Sequence, residues 1–468
     1  MDRETQKEKT KNVQWSQWFA GIGVNLLLVQ IGMIVLWSSP YITYLTSPES
    51  PIPMTMNEIS WVVSILNLGR LAGSICGSVA VNYFGAKTAI LMTSLNISFS
   101  WLLIIIANRA EWLYAARFVA GMSVGSANCC YPLYLGEIAE PTIRGALVAL
   151  AMIGIAIGYV MISTMGAILS MKMSAAICFA LSLILIIVFF WLPSSPYYFI
   201  KIKDETKART SIVWYHRGCD VEAELQALKL FIEKNKSPPF IDIIKEFKIP
   251  YIWKALILSF VLFAYFQLSQ SIVFYYMETI LQNAQVTVID PSVIVIIASA
   301  TGIFASMLSI FLIDKIGRRI LMIVSSLGIT ITLICLGVQY QLLDAGYDPT
   351  NLQALPIFSI LFFQISSLIG IIPVPYTVLG EIFPPHIKCI ASCFANLFGA
   401  ATSFIATSTF QPLIDLITEK YVFYVHALIM ITAVPYTYFC MPETKYAAVM
   451  VLLNLMFQIL IRTASRSL

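Results

Sequence analysis

The sequence predicts an all-α membrane protein of twelve transmembrane helices, arranged as two six-helix pseudo-repeats. Hydrophobic residues make up 59% of its 468 residues and charged residues only 12%, whereas soluble domains carry about 25% charged residues. Twelve apolar stretches are long enough to cross a bilayer core, which takes about 20 helical residues. A tetrapeptide that occurs once in each half of the chain indicates that the two halves are related.

The twelve predicted spans follow one another with short connections, except in the middle of the chain. They cover residues 18–40, 59–81, 88–107, 113–136, 146–169, 173–192, 253–280, 292–313, 320–341, 355–380, 389–410 and 421–440. We therefore divide the chain into an N-terminal tail, a first bundle, a polar linker, a second bundle and a C-terminal tail, at residues 1–17, 18–192, 193–250, 251–441 and 442–468.

Basic residues are concentrated on one side of the predicted membrane. If both termini and the even-numbered connections share a side, that side receives the linker and eleven basic residues, namely Arg3, Lys7, Lys9, Lys11, Lys87, Arg144, Lys315, Arg318, Arg319, Lys388 and Lys445. The other side holds only Arg109, Lys172 and Lys420. Because cytoplasmic loops are enriched in Lys and Arg, we predict a multi-pass plasma-membrane protein with both termini in the cytoplasm. The net charge of +4 reflects this topology and does not indicate nucleic-acid binding.

The polar linker is predicted to form short amphipathic helices on the cytoplasmic side. Residues 220–234 place Val221, Leu225, Leu228 and Phe231 at helical spacing, and Ser237-Pro238-Pro239 interrupts the pattern. A charged tether without such structure is the alternative. Residues 446–461 carry no charge but are too few to span a bilayer comfortably, so an interfacial helix or an altered terminus is expected there.

The duplicated motif places charges at corresponding ends of two spans. Leu135-Gly136-Glu137-Ile138 recurs as Leu379-Gly380-Glu381-Ile382, and each Glu is followed seven positions later by a base, Arg144 or Lys388. A second pair matches Asn82-Tyr83-Phe84-Gly85-Ala86-Lys87 with Asp314-Lys315-Ile316-Gly317-Arg318-Arg319, where Gly allows a tight turn. Parallel repeats of this kind are typical of transporters.

We interpret these charges as gates of an alternating-access cycle. The predicted gate residues are Glu137, Arg144, Asp314, Arg318, Arg319, Glu381, Lys388 and Glu443. Ion pairs at a wet surface contribute only about 0–1 kcal/mol each, so a few of them hold a closed state that still opens. The alternative is a positive-inside bias with incidental pairing.

Other classes of protein are disfavoured by what the sequence lacks. The nine cysteines and three histidines show no metal-ligand spacing, and no nucleophile–base set indicates an enzyme. A nucleotide phosphate loop is also missing, and residues 18–40 contain no carboxylate of the kind that a proton symporter needs. We therefore expect facilitated diffusion without cofactor or metal.

Two arginines lie within predicted spans, where a charge is costly and usually faces a partner or a cavity. Arg117 is expected to pair with a carboxylate. Arg70 falls midway through the second span, in Asn67-Leu68-Gly69-Arg70-Leu71-Ala72-Gly73. It either bonds backbone carbonyls as a structural residue or faces the cavity and favours an anionic or strongly polar ligand. The nearby small residues Gly69, Gly73 and Gly77 are expected to let helices approach closely.

Together the motifs resemble those of the sugar porter family of the major facilitator superfamily, over nearly the whole chain to Lys445. Within it they are most similar to the insect facilitated trehalose and glucose transporters. The matching segments are Trp37-Ser38-Ser39-Pro40, Arg117 to Gly121, Glu137 to Gly145, Pro193-Ser194-Ser195-Pro196, Asp314 to Arg319, Glu381-Ile382-Phe383-Pro384 and Pro442-Glu443-Thr444-Lys445. The resemblance implies the major facilitator fold and carriage of a sugar.

The resemblance also implies a substrate site on the second bundle, but several expected amides and a Trp are missing. Candidate contacts are Gln267, Ser269, Gln270, Tyr275, Tyr376 and Asn396. The fifth-span Gln of the family is Met152 here, the tenth-span Trp is Tyr376, and the eleventh-span Asn-Trp is Gly399-Ala400. Since each unmatched polar group of a buried sugar costs about 1–3 kcal/mol, these losses weaken binding unless other residues compensate.

The sequence thus predicts a facilitative transporter of trehalose or a hexose, with the sugar and the lipid bilayer as its partners. One alternative keeps the fold and carries a non-sugar polar or anionic solute. The other is a sugar receptor that does not transport. The matched gate residues argue against a receptor, and Arg70 with the missing amides argues for a changed cargo.

Overall fold

The computed structural model describes residues 15–217, 219–234 and 245–443, and the regular structure there is helical. The first half contains α1 to α7, at Trp15–Leu36, Ser38–Thr46, Met56–Phe84, Ala86–Ile106, Ala110–Ile138, Pro141–Ile168 and Met171–Trp191. α1 and α2 are two parts of the first predicted span, so these seven helices contain the six spans predicted for this half.

The second half contains a similar series with one interrupted span. α11 to α13 are Pro250–Asn283, Pro291–Lys315 and Arg318–Asp344. The next span is a 3-10 turn at Pro349–Leu352, α14 at Ala354–Ser366, a π-helical segment at Ser367–Ile371 and α15 at Pro373–Ile382. α16 and α17 follow at Pro385–Ile417 and Glu419–Cys440.

Eleven of these segments are long and apolar enough to cross a membrane. The remaining predicted span corresponds to α5, which has 29 residues but contains Arg117 and Asn128 together with several Gly and Ser residues. These residues dilute its apolar side chains, so α5 does not count among the eleven although its length is sufficient.

The linker between the halves folds into three short helices, α8 to α10, at Pro196–Lys201, Glu205–Tyr215 and Val221–Lys234. α10 coincides with the helix predicted at 220–234. Leu225 packs with Ala208 and Ile212 of α9 in a small separate core, and Lys229 pairs with Glu205 at 2.5 Å. This ammonium holds the pKa of the Glu205 carboxyl below its usual range. The predicted break at Ser237-Pro238-Pro239 and the apolar segment at 446–461 lie outside the described residues.

Alternate helix ends lie on opposite faces of the bundle. The terminal face is defined by the start of α1, the linker and the end of α17. There Gln17 donates to the Tyr215 carbonyl at 3.0 Å, and the Arg318 backbone N–H donates to Glu443 at 3.1 Å. The far face contains the opposite connections, where the Thr287 backbone N–H donates to Gln353 at 2.7 Å.

Close packing of α3 on α5 fixes the orientation of the second span. A Cβ on Gly69 would meet the Phe118 carbonyl, and one on Gly73 would lie against the Met122 backbone. Gly77 likewise faces Ser126. These contacts confirm that the small residues let the two helices approach, as expected where packing rather than hydrophobicity drives association in a membrane.

The tenth predicted span is interrupted by the π-helical segment directly before two prolines, Pro373 and Pro375. Pro373 has no N–H and cannot bond the Ile369 carbonyl, to which Ser309 donates instead at 2.8 Å. Ser325 donates to the Ser366 carbonyl at 2.6 Å and accepts from the Ile371 N–H at 2.8 Å. Hydroxyls of α12 and α13 therefore satisfy the backbone groups that the break frees.

The seventh span also deviates, at a position that the sequence did not mark. Tyr276 has φ −117° and ψ 17°, outside the helical region, inside α11. The kink separates the middle of α11 from its far-face end, which carries Glu278 and Gln282.

Candidate functional site

Hydrogen bonds that join the two halves cluster toward the far face. Thr43 donates to the Gln282 side chain at 2.7 Å, and the Ser39 hydroxyl accepts from the Glu278 N–H at 3.3 Å. Ser163 and Ser299 lie 3.4 Å apart between their hydroxyl oxygens. Between α3 and α16, Ser60 donates to the backbone carbonyl of Thr407 at 3.2 Å, and the Asn67 amide donates to the hydroxyl of Thr407 at 3.5 Å. The two halves are therefore closed against each other at this face.

The predicted gate residues of the second half pair within that half on the terminal face. The Arg318 guanidinium is nearly buried and lies 2.9 Å from the Glu381 carboxylate and 3.0 Å from that of Asp314. Arg319 stacks over the Tyr438 ring at 4.8 Å and, through its backbone N–H, donates to Glu443. Lys388 is exposed, with its ammonium near Gly380.

The gate residues of the first half also keep to their own side. Glu137 accepts a hydrogen bond from the Ser195 hydroxyl of the linker. Arg144 is exposed and donates to the Ala139 carbonyl at 3.1 Å. Within the described part of the chain, the structure therefore brings none of the gate residues of one half into an ion pair with those of the other.

Arg70 lies at the middle of α3 and faces the other half of the protein. Its Nη1 donates to Asn67 at 3.1 Å and to the Gln267 side-chain oxygen of α11 at 3.4 Å. If Arg70 were only a structural residue, it was predicted to bond backbone carbonyls. Its observed partners are instead the side-chain amides of Asn67 and Gln267. Arg70 is 8% exposed.

Arg117 pairs with no carboxylate among the residues that the structure describes, so the predicted pairing was wrong there. Its Nη1 donates to the Ile34 carbonyl at 2.7 Å, and its guanidinium lies 5.3 Å from the centre of the Trp37 ring. The side chain is 1% exposed, and its Nε and Nη2 have no hydrogen-bond partner among the described residues. The break between α1 and α2 supplies the carbonyl and the ring face, which the sequence did not reveal.

Amide groups with unused hydrogen-bonding capacity lie near the middle of the second half. Gln267 uses its oxygen toward Arg70 and leaves Nε2 unpartnered. Gln270 likewise has a buried, unpartnered Nε2, and Asn396 donates to the Ser392 carbonyl at 2.9 Å while its Oδ1 has no partner. A buried amide without a partner costs about 1–3 kcal/mol, so these groups are available to a ligand with hydroxyls.

Aromatic rings line the same region. Tyr376 lies edge-on to Phe263 at 5.1 Å and to Phe266 at 5.9 Å, and it is only partly buried. Two other candidates are less available. Ser269 donates to the Phe266 carbonyl at 2.9 Å, and Tyr275 is 4% exposed next to the far-face contacts. We found no group of three or more His, Cys, Asp or Glu side chains that would hold a metal in the described ranges.

Several residues of the site were missed because their role depends on neighbours in space. Asn67, Tyr159 and Thr407 contribute to the interface between the halves, but each is a common residue in an apolar helix. Ser195 was noted only as part of a motif, and its bond to Glu137 depends on how the linker packs under α5. Only the placement of Asn67 one turn before Arg70 offered a signal in the sequence.

The chain is similar to known transporters over most of its length. A family model described as "Sugar (and other) transporter" matches residues 38–451. The facilitated trehalose transporter Tret1 of Drosophila grimshawi is 30% identical over 440 residues, which are 92% of this chain and 47% of that protein. The Tret1-2 homolog of Drosophila simulans is 30% identical over 444 residues, covering 93% and 89% of the two chains. The chain spans about half the length of the first of these relatives.

Solved structures give the fold. A major facilitator proton:xylose symporter, XylE, bound to 6-bromo-6-deoxy-D-glucose matches with a TM-score of 0.74 at 17% identity, covering 93% of this chain and 98% of that one. The inward-open conformation of the xylose transporter XylE from E. coli matches with a TM-score of 0.75 at 18% identity, covering 92% and 97%. The chain has the major facilitator fold and belongs to the sugar (and other) transporter family.

Proposed function

We propose that this protein is a facilitative sugar transporter of the plasma membrane that carries trehalose or a hexose by alternating access. The observation that carries the proposal is the placement of the contacts between the halves. They lie at the far face and the middle, while the charged gate residues of the terminal face pair within their own halves. This arrangement is that of a carrier closed on one face and open on the other.

The membrane layout in this proposal has twelve spans in two six-helix repeats. Residues 18–192 and 251–441 form the bundles, and the linker and tails lie on the cytoplasmic side because the basic residues are concentrated there. Gly85 and Gly317 support the repeat, since both adopt positive φ, 84° and 99°, at corresponding turns. On this layout the terminal face is cytoplasmic, and the hydrogen bonds that close the far face support an inward-facing state.

In the outward-facing state, the same gate residues would pair across the two halves. Glu137 faces Ser195 and Arg144 points to its own loop in the present state, so both are free to exchange partners when the terminal face closes. Each pair contributes little in a wet setting, so closure and opening have similar free energies. A carrier needs this balance if it is to cycle without an energy source.

The names of the relatives favour a sugar over the two alternatives of a non-sugar cargo and a receptor. Uniport is favoured because α1 contains no carboxylate to carry a proton. The residues at Met152, Gly399 and Ala400 lack the polar groups expected there for binding sugar hydroxyls. Other groups can bind those hydroxyls instead, namely Tyr376 and the unpartnered amide atoms of Gln267, Gln270 and Asn396.

The test is uptake of labelled trehalose and glucose by proteoliposomes containing the purified protein. We expect saturable uptake that is unaffected by a pH gradient and is lost in the double variant Glu381→Ala/Lys388→Ala. A matched control is Glu222→Ala/Lys229→Ala, which removes one acidic and one basic residue of the linker, far from the predicted gate residues in the sequence.

Each outcome has a distinct meaning. Uptake that depends on a pH gradient would contradict uniport, and saturable binding of sugar without any flux would identify a receptor. Binding or flux of neither sugar would contradict the proposed cargo.

A further inference from the structure

Arg70 is a buried cation without a counter-charge among the described residues. Its hydrogen bonds there go to two neutral amide oxygens, those of Asn67 and Gln267, and both use the same nitrogen, Nη1. An uncompensated charge at the middle of a span is among the costliest features of a membrane protein. In proteins such a charge normally faces a partner, a cavity or a ligand.

The packing of α3 directs this side chain toward the other half. Gly121 and Gly125 of α5 lie against the Arg70 backbone, so the first half occupies one side of the residue. Asn67 lies one turn before Arg70 and contacts Thr407 of α16. Arg70 itself reaches Gln267, which lies at the middle of α11. The guanidinium is therefore held between the halves, at the depth where a carrier of this fold binds its cargo.

Arg117 provides the contrast within the same half. It is 1% exposed, stacks on Trp37 and bonds a carbonyl inside its own bundle. Arg70 keeps 8% of its surface accessible, and its Nε and Nη2 take part in none of the described hydrogen bonds. The Nε and Nη2 atoms of a guanidinium lie along one edge of its plane and can donate two parallel hydrogen bonds to the two oxygens of a carboxylate.

We propose that the central site binds a carbohydrate that carries a carboxylate, such as a uronic or aldonic acid, with Arg70 as the partner of that carboxylate. The inference rests on the proposed function and specifies its substrate class. Gln267 and Gln270 would take the sugar hydroxyls through their unpartnered nitrogens. A singly charged group fits better than a phosphate, because Arg117 is turned away and does not add a second positive charge.

The ligand preference of the unmodified protein is the first test. Uptake of labelled glucose would be competed by glucuronate, gluconate, neutral glucose and glucose 6-phosphate in separate experiments. We expect glucuronate or gluconate to compete at a concentration about 10- to 100-fold lower than glucose, which is the effect of one charge-assisted hydrogen bond. Equal competition by glucose would overturn the inference, and stronger competition by glucose 6-phosphate would overturn the choice of carboxylate.

The variants Arg70→Gln and Arg70→Lys test the residue itself. Arg70→Gln is expected to lose the acid preference while it still binds glucose, and Arg70→Lys is expected to retain most of the preference. Arg209→Gln, at an exposed linker position, is the matched control. If Arg70→Gln fails to fold, Arg70→Lys and the competition experiment still decide the question.

Charge movement gives an independent readout. Uniport of a monoanion carries one charge, so an imposed membrane potential that is inside-positive should raise glucuronate uptake and leave glucose uptake unchanged. Glucose uptake without any acid preference would overturn this inference and leave the proposed function intact. Absence of both would contradict the proposed function as well.

Discussion

At the scale of single residues, burial decides what the charged side chains do. The Arg117 guanidinium donates to the Ile34 carbonyl and stacks on the Trp37 ring. Both contacts offset part of the free energy of burying its charge, and both are available because the first span breaks at Trp37. Arg318 instead joins two carboxylates from different helices. The same residue type thus packs against a carbonyl and a ring in one place and bridges two carboxylates in another.

We expect Arg318→Gln to lower stability by about 1–3 kcal/mol, because Glu381 would lose the cation that lies 2.9 Å away while one of its oxygens is already buried without a partner. The measurement is thermal unfolding in detergent, compared with the unmodified protein. Arg209→Gln removes an exposed pair with Glu222 and should change stability by less than about 0.5 kcal/mol. Equal effects of the two substitutions would contradict the bridging role.

At the scale of helices, close approach of α3 and α5 positions Arg70. The glycines on this face remove the side chains that would separate the helices, and Asn67 and Arg70 then lie on the side that faces the second half. The break in the tenth span acts in the same way, because Ser309 and Ser325 hold the freed backbone groups in place.

We expect Gly73→Ala to destabilise the protein by about 1–3 kcal/mol. The added Cβ would overlap the Met122 backbone, which cannot move aside as a flexible side chain could. Gly136→Ala is the matched control, because nothing lies within 4 Å of its added Cβ. That substitution should leave stability unchanged or raise it by about 0.5–1 kcal/mol through higher helix propensity. Midpoints of thermal unfolding for the two variants test the difference, and similar losses would argue against a backbone contact.

At the scale of the whole molecule, the described hydrogen bonds between the two halves lie at the far face and at the middle. The hydrogen bonds that join the halves at the far face involve hydroxyl, amide and backbone groups, whereas the predicted gate residues of the terminal face are charged. Neutral hydrogen bonds contribute about 0.5–1.5 kcal/mol each, so a handful of them close a face without making the state permanent.

The double variant Ser163→Cys/Ser299→Cys should form a disulfide across the far face, because the two hydroxyl oxygens are 3.4 Å apart. We expect oxidation to stop sugar uptake by preventing the far face from opening, and a reducing agent to restore it. The two single variants carry the same native cysteines and should be insensitive to oxidation. Full uptake by the cross-linked protein would contradict a far face that opens during transport.

The sequence by itself determined where the helices are and what the linker contains, because those depend on local hydrophobicity, spacing and turn residues. Eleven of the predicted apolar spans, a helix within 220–234 and the tight turn at Gly317 were predictable. Of the site, the gate charges and the unusual Arg70 were identifiable, although the gate function and the substrate contacts stay predictions.

Only the tertiary structure decided which groups meet. The partner of Arg117 is a carbonyl and a ring, Glu381 pairs with Arg318, and Glu137 faces Ser195. These contacts join residues far apart in the chain, and hydrophobic periodicity carries no information about such pairs. The far-face contacts have the same cause, because they join residues of two separately packed halves.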